Sequence, residues 1–191
     1  KVEGLKKSFG GVAALRDGRF ALEAGSVHAL CGGNGAGKST FLSILMGIHK
    51  RDGGTILHRG NAVEFGSPAE ALRSGIAIIE QELSPVPHMT VAENIYLGRE
   101  PSARFGGIDF KTMNRNAQAL LDRLEFSISA TQYMMNLSVA QMQLVEIAKA
   151  LSHEADVIFM DEPTSAIGGK EAQHLFSAIE RLKAEGKGIV Y

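Results

Sequence analysis

The chain has one cysteine, no tryptophan and five prolines in 191 residues. A lone thiol leaves no internal disulfide, so burial and hydrogen bonding must hold the fold, and the composition fits a reducing compartment. An excess of either charge is also missing. Twenty Lys and Arg stand against 21 Asp and Glu, for a net charge of −1. That balance argues against a dedicated nucleic-acid binder, whose surface carries a strong basic excess. No stretch reaches the ~18 consecutive apolar residues of a transmembrane helix, so any membrane connection is expected through a partner protein. Hydrophobic residues make up 45% of the chain, which suits one α/β domain or a core with an inserted subdomain.

One stretch organises the rest. Val27 to Cys31 reads as a buried strand, Gly32 to Gly37 as a glycine-rich loop, and Lys38 onward as a helix. Gly32, Gly37, Lys38 and Ser39 fit G-x-x-x-x-G-K-[ST], the phosphate-binding loop. Glycines let the backbone curl so that successive N–H groups point at phosphate oxygens, and the helix start adds unpaired N–H groups and a positive dipole end. Lys38 is placed to reach the β- and γ-phosphates, and the Ser39 hydroxyl to sit on Mg²⁺. Cys31, at the strand end, reads as a small buried hydrophobe rather than a reactive thiol.

Upstream, residues 2–23 alternate apolar and polar segments as antiparallel strands do, with turns expected at Gly10-Gly11 and Asp17-Gly18. Phe9 is open to two readings, a core aromatic or a ring that stacks on a flat ligand. The loop helix is expected over 38–48, with Phe41, Leu42, Leu45 and Ile48 on its apolar face. A hairpin follows over 55–65. Ser67, Pro68 and Glu70 then spell a capped helix start with a capping box. Ile76 to Ile79 reads as a strand buried on both faces, ending in Glu80-Gln81-Glu82. Ligands bind at the carboxyl ends of such strands, so Gln81 is a candidate to orient a water or complete a Mg²⁺ shell, against the plainer reading of a loop glutamine.

The texture changes from Leu83. Thr90 with Glu93 opens a short helix, and a longer one is expected over 110–124 with Met113, Ala117, Leu120, Leu121 and Leu124 apolar. Ser138 with Gln141 forms another S-x-x-Q box, read as an ordinary cap or as an anion site. Val157 to Met160 is a buried strand ending in Asp161-Glu162. In a phosphate-loop protein this strand is expected beside the loop strand, which places Asp161 to reach Mg²⁺ and Glu162 to polarise an attacking water. A last helix over 170–183 presents Ala172, Leu175, Phe176, Ile179 and Leu182 on one face, and the chain closes on the apolar run 188–191.

Taken together, Gln81, the run Leu137-Ser138-Val139-Ala140-Gln141 and the run Asp161-Glu162-Pro163-Thr164 resemble the Q-loop, signature and Walker B motifs of the nucleotide-binding ATPase subunits of ABC transporters. The runs 80–83, 90–98 and 145–151 resemble the bacterial monosaccharide-importer branch, with ribose, galactose or xylose as typical cargo. That branch carries two such domains per chain, and this sequence resembles the first, cut short.

The resemblance implies an α/β fold: a P-loop NTPase core of mostly parallel sheet flanked by helices, with an N-terminal antiparallel β subdomain and an inserted α-helical subdomain. The expected layout is an ATP-binding core with the antiparallel part over 1–82, the helical subdomain over 83–136, and the signature helix, Walker B strand and following helix over 137–191. The ligands implied are ATP and Mg²⁺. ATP is placed against Phe9, Gly32, Gly33, Asn34, Gly35, Ala36, Gly37, Lys38, Ser39, Thr40, Gln81 and Asp161. Ser138 and Gln141 are assigned to the ATP of a partner domain, in trans. Metal ligation falls to Ser39, Gln81 and Asp161, and catalysis to Glu162, Gln81 and Lys38. The implied partners are a second nucleotide-binding domain, membrane permease subunits and, indirectly, a sugar-binding protein, with no nucleic acid. The implied location is peripheral, on the cytoplasmic face of the inner membrane. A non-transport ABC ATPase of DNA repair or translation, and a domain that binds ATP with little turnover, are the alternatives.

Four departures from the family pattern stand out. Val139 and Ala140 replace two common glycines, which places an Ala140 methyl near the trans phosphate. Ile167-Gly168 lack the usual acidic or hydroxyl residue. Gly33 replaces a common glutamate. The family's switch histidine follows the last strand, and none of the six histidines here stands in that place.

Overall fold

The computed structural model describes residues 1–33, 35–79, 84–161 and 169–191, apart from the side chains of Lys170, Glu171 and His174. The strands are β1 (Val2–Phe9), β2 (Val12–Phe20), β3 (Val27–His28), β4 (Gly53–His58), β5 (Asn61–Val63), β6 (Ile76–Ile79), β7 (Val157–Met160) and β8 (Gly188–Val190). The helices are α1 (Lys38–Leu45), α2 (Pro68–Arg73), α3 (Val91–Tyr96), α4 (Phe110–Arg123), α5 (Val139–Leu151) and α6 (Gly169–Ala184). The chain divides into two compact units. The first is Lys1–Ile78 with Ala155–Phe159 and Leu182–Tyr191, and the second is Ile79–Glu154 with Met160–Arg181.

Two four-stranded sheets form, in the orders β2-β1-β4-β5 and β3-β8-β7-β6. The first is antiparallel at each of its pairings, whereas β8 runs parallel to both β3 and β7. The α/β class read from the sequence is therefore the one observed. Its strand order is not. β7 does not lie beside the loop strand, because β8 is inserted between them. At Gly188 a Cβ would lie 2.7 Å from Leu22 Cδ2, so the glycine leaves room for that side chain against β8.

The first hairpin turns at Gly10 and Gly11, both at positive φ. The expected turn at Asp17-Gly18 is absent. Gly18 lies inside β2 opposite Leu5, at a register shift. A Cβ at Gly18 would meet Leu5 Cβ at 3.2 Å, so the glycine admits a fully buried leucine rather than reversing the chain. The second hairpin turns at Arg59 and Gly60, with φ of 49° and 79°, the two-residue geometry that matches strand twist.

α1 ends at Leu45 rather than Ile48. Gly47 takes φ +70°, and a Cβ there would lie 2.6 Å from the Phe65 carbonyl oxygen. The chain must leave the helix at that point, so Ile48 is exposed while Ile44 and Met46 are buried instead. At α2, Ser67 caps the Glu70 N–H as expected. The Glu70 carboxylate, however, accepts from Gly66 N–H at 2.8 Å. With Ser67 fully extended, the N–H within reach is the one before the cap. On α6 the buried stripe is Leu175, Ala178, Ile179 and Leu182, and Phe176 is exposed.

The core of the first unit joins both sheets to α1. Val2, Leu5 and Ile56 from the antiparallel sheet meet Phe41, Leu42 and Leu45 of α1 and Phe159 and Val190 of the parallel sheet. Phe20 sits among them, with ring centres 5.8 Å from Phe41 and 6.4 Å from Phe159. Each buried large apolar side chain contributes about 1.5–3 kcal/mol.

In the second unit α3 packs on α4 and α5. Thr90 and Glu93 close the expected capping box. Asn94, 1% exposed, is satisfied by the Val86 backbone N–H and by the Val86 and Thr90 carbonyls. This pins the proline segment onto α3. Arg99 donates to the Ser152 carbonyl at 3.2 Å and to the Ser152 hydroxyl at 2.6 Å, clasping the carboxyl end of α5 where a cation is favoured. Beside it, burial, then Arg99 and Lys149, push the His153 imidazole down to about 4.

Two predictions follow from these positions. Gly47→Ala is expected to lower stability by about 2–4 kcal/mol through strain and clash together. Gly60→Ala, strained but uncrowded, loses only about 1–2 kcal/mol; equal urea midpoints for the two variants contradict the crowding at Gly47. His153 is neutral when folded, and the unfolded chain takes up the proton first. Its contribution is thus whole above about pH 6.5 and fades as pH falls toward about 4. His153→Gln is expected to flatten the decline of the urea midpoint between pH 7.5 and pH 5, and an unchanged slope refutes this.

Candidate functional site

The loop between β3 and α1 is built by the first unit. Val27 and His28 pair with Ile189 and Val190, and Leu30 N–H makes one further bond to the Tyr191 carbonyl at 2.7 Å. The strand is therefore shorter than the expected run to Cys31. Cys31 lies past the last ladder bond and is exposed, not buried. The chain has already left the sheet before the glycines begin.

The loop then tightens. Ala36 N–H bonds the Gly33 carbonyl at 3.1 Å, and Gly35 and Gly37 take φ of 81° and 88°. Gly37 is the N-cap of α1, in the left-handed conformation and with no side-chain cap, and the first turn holds no acidic residue. The first N–H groups of α1 thus face the loop without a carboxylate or hydroxyl acceptor at the cap. A Cβ on Gly37 would stand 2.8 Å from both the Ala14 carbonyl oxygen and Leu15 Cδ2. β2 therefore presses on the loop at Gly37, where both the backbone conformation and the close approach call for glycine. Gly33 and Gly35 have open space where a side chain would be. The Lys38 ammonium reaches back across the loop to the Gly32 carbonyl, and lies 3.4 Å from that of Gly33. A cavity of about 430 Å³ opens here, with Lys38, Ser39 and Thr40 among its walls and no carboxylate among its described lining. A cation, hydroxyls and helix-start N–H groups make a donor set for an oxyanion.

Phe9 ends β1 and is 43% exposed, so it is not a core aromatic. His49 stands against it edge-to-face, ring centres 5.1 Å apart. Lys7 Nζ lies 5.2 Å from the Phe9 ring centre and 3.0 Å from the Asp52 carboxylate. That ammonium and the Ser8 N–H hold the Asp52 carboxyl below the usual carboxylate range. No motif singles out Lys7, His49 or Asp52; Lys7 and His49 meet Phe9, and Asp52 meets Lys7 and Ser8, only because β1 and the segment after α1 run side by side.

Asp161 follows β7, is half-buried, and its N–H bonds the Ile79 carbonyl at 3.0 Å. Ser138 and Gln141 close their box on each other, Ser138 N–H to Gln141 Oε1 at 3.0 Å and Gln141 N–H to Ser138 Oγ at 3.2 Å. The Ala140 methyl, expected near a phosphate, is buried in the second unit instead, while Val139 is 51% exposed. At a helix start successive residues point to different sides, and the apolar stripe takes Ala140. Phe9 and the loop residues thus lie in the first unit, and Asp161, Ser138 and Gln141 in the second. Asn34, Gln81, Glu162 and Ile167-Gly168 lie outside the described residues.

A glycine loop feeding a helix from a parallel sheet, with a second antiparallel sheet beside it, defines a class of nucleotide-phosphate folds. More narrowly, the ABC transporter family model matches residues 15–165, and the chain belongs to that family. It is 51% identical over its whole length to the ribose/galactose/methyl galactoside import ATP-binding protein 1 of Agrobacterium fabrum, of which it covers 38%. It is 50% identical over its whole length to the corresponding import ATP-binding protein of Pseudomonas fluorescens, of which it covers 37%. The chain therefore spans little more than a third of the length of these curated relatives. Among solved structures it is similar to the ADP conformation of an ATP-binding cassette of an ABC transporter. The TM-score is 0.85 at 29% identity, covering 99% of this chain and 78% of that one.

The exposure of Cys31 is directly testable. One equivalent of a thiol-reactive probe is expected to label the native protein rapidly, without denaturant; labelling only after unfolding contradicts the placement of Cys31 outside the sheet.

Proposed function

We propose that this chain is a nucleotide-binding domain of an ATP-hydrolysing subunit that energises sugar import by an ABC transporter. The observation that carries the reading is the loop itself: Lys38 drawn across the Gly32 and Gly33 carbonyls at the uncapped start of α1. The described lining, which holds no carboxylate, fits a polyphosphate. The names of the relatives, ribose/galactose/methyl galactoside import ATP-binding proteins, support the sugar-import part.

In this reading Gly32, Gly33, Asn34, Gly35, Ala36 and Gly37 cradle the phosphates of ATP through backbone N–H groups. Lys38 neutralises the β- and γ-phosphates, Thr40 and Ser39 line the helix start, and Phe9 stacks on adenine. Bound Mg²⁺ supplies charge neutralisation at the phosphate oxygens, and Ser39, Gln81 and Asp161 are the residues that would hold it. Gln81 orients a water, and Glu162 takes its proton as the water oxygen attacks the γ-phosphorus. The bond to the bridging oxygen then breaks, leaving ADP and phosphate.

Ser138 and Gln141 serve the ATP of a second nucleotide-binding domain, in the same longer chain or a partner. The Ser138–Gln141 box keeps the α5 start ordered for that role, and exposed Val139 is the side chain that meets the partner. The second unit exposes Leu97, Phe105, Ile108 and Phe110, Phe105 at 95%. Such apolar exposure suits a docking face, which we assign to membrane permease subunits on the cytoplasmic side of the inner membrane. A sugar-binding protein then acts through the permease. No helix among the described residues is long and apolar enough to cross a membrane, which is compatible with a peripheral subunit.

The test is thermal. Mg-ATP at one hundred times its Kd is expected to raise the melting temperature by roughly 5–10 °C. Lys38→Ala should abolish the rise. No shift at millimolar ATP, or an equal shift in Lys38→Ala, overturns the phosphate-loop assignment.

A further inference from the structure

Phe9 stands at the edge of the first unit, followed by two glycines whose missing side chains face open space. An exposed aromatic free to change rotamer makes a poor stacking surface, because its order must be supplied on binding. Besides Lys7, whose Nζ lies 5.2 Å from the ring centre, the ring is met by the segment after α1. Ile48 and His49 N–H groups both bond the Ser43 carbonyl, at 2.8 and 3.2 Å, so His49 is anchored to the end of α1. Asp52 then straps the segment to β1. Its N–H donates to the Lys6 carbonyl at 2.9 Å, and its carboxylate accepts from Ser8 N–H at 2.6 Å and Lys7 Nζ at 3.0 Å. Between these two anchors the exposed His49 ring meets Phe9 at 70°, ring centres 5.1 Å apart.

We propose that His49 is a positioning residue for the purine platform, fixing through its edge-to-face contact the orientation in which Phe9 meets the base. The proposal rests on the reading of Phe9 as the adenine platform. α1 gives the arrangement its logic. Eight helical residues span about 12 Å, with the phosphate loop at one end and the His49 anchor at the other. One rigid element thus sets both where the phosphates sit and how the base platform is turned.

The experiment compares ATP with inorganic triphosphate, which needs the loop but has no base. Affinities are measured by calorimetry on the 191-residue chain and on Phe9→Ala, His49→Ala, His49→Phe and the Phe9→Ala/His49→Ala double variant. Unchanged melting temperatures show that each is folded. His49→Ala is expected to weaken ATP by about two- to tenfold, and His49→Phe, which keeps an aromatic edge, to recover it to within about twofold. Triphosphate affinity should not follow the loss of ATP affinity. The double variant should bind ATP no more weakly than Phe9→Ala, because His49 acts only through that ring. If Phe9→Ala weakens ATP but His49→Ala does not, the His49 proposal falls and the platform stands. If Phe9→Ala leaves ATP affinity intact, the platform reading itself falls. Additive losses in the double variant, or a parallel loss of triphosphate, overturn the route through Phe9.

Discussion

The burial of one face of α1 is the constraint on which the first unit depends. Phe41, Leu42 and Leu45 are inserted where the antiparallel sheet, the parallel sheet and the Phe20 ring converge. Because that face is locked, the amino end of the helix cannot drift. The glycine loop, which has almost no side chains of its own to pack, is located by the helix behind it and by β2 pressing on Gly37. A loop that must offer its backbone N–H groups outward cannot also hold itself by burial. The apolar end of α1 supplies the order that the polar end lacks.

The second unit solves a similar problem differently. Its turns are held by short polar clasps: the Thr90–Glu93 and Ser138–Gln141 boxes, Asn94 within the proline segment, and Arg99 on the end of α5. These bonds satisfy helix ends that burial leaves open. A capped, ordered helix start is also what a site offered to a neighbouring domain requires, since order supplied beforehand need not be supplied at binding. In Ser138 and Gln141 the structural and functional readings are thus compatible rather than rival.

Departures from expectation share a physical origin. Gly18 reads from its neighbours as a turn, and Gly47 as a weak point at the end of the loop helix, but neither shows which residue it accommodates. One admits Leu5 in mid-strand, and the other ends a helix because Phe65 lies too close for any Cβ. Ile48, Phe176 and Cys31 are apolar residues at positions a local pattern assigns to the interior; Ile48 and Cys31 are exposed because their elements end before them, and Phe176 because the covered stripe of α6 runs through Leu175, Ala178, Ile179 and Leu182 instead. Periodicity reports which residues share a face, not how far that face stays covered.

Sequence alone determined the elements, the phosphate loop and the family likeness, because these depend on local spacing: glycines before a lysine, caps before apolar stripes, acids after a buried strand. Only the tertiary structure decided that β8 separates β7 from the loop strand, that Ala140 turns inward and Val139 outward, and that Lys7 and His49 meet Phe9. Those outcomes depend on which distant backbones lie side by side. No short window of residues encodes that adjacency, since it is fixed by the packing of whole elements against one another.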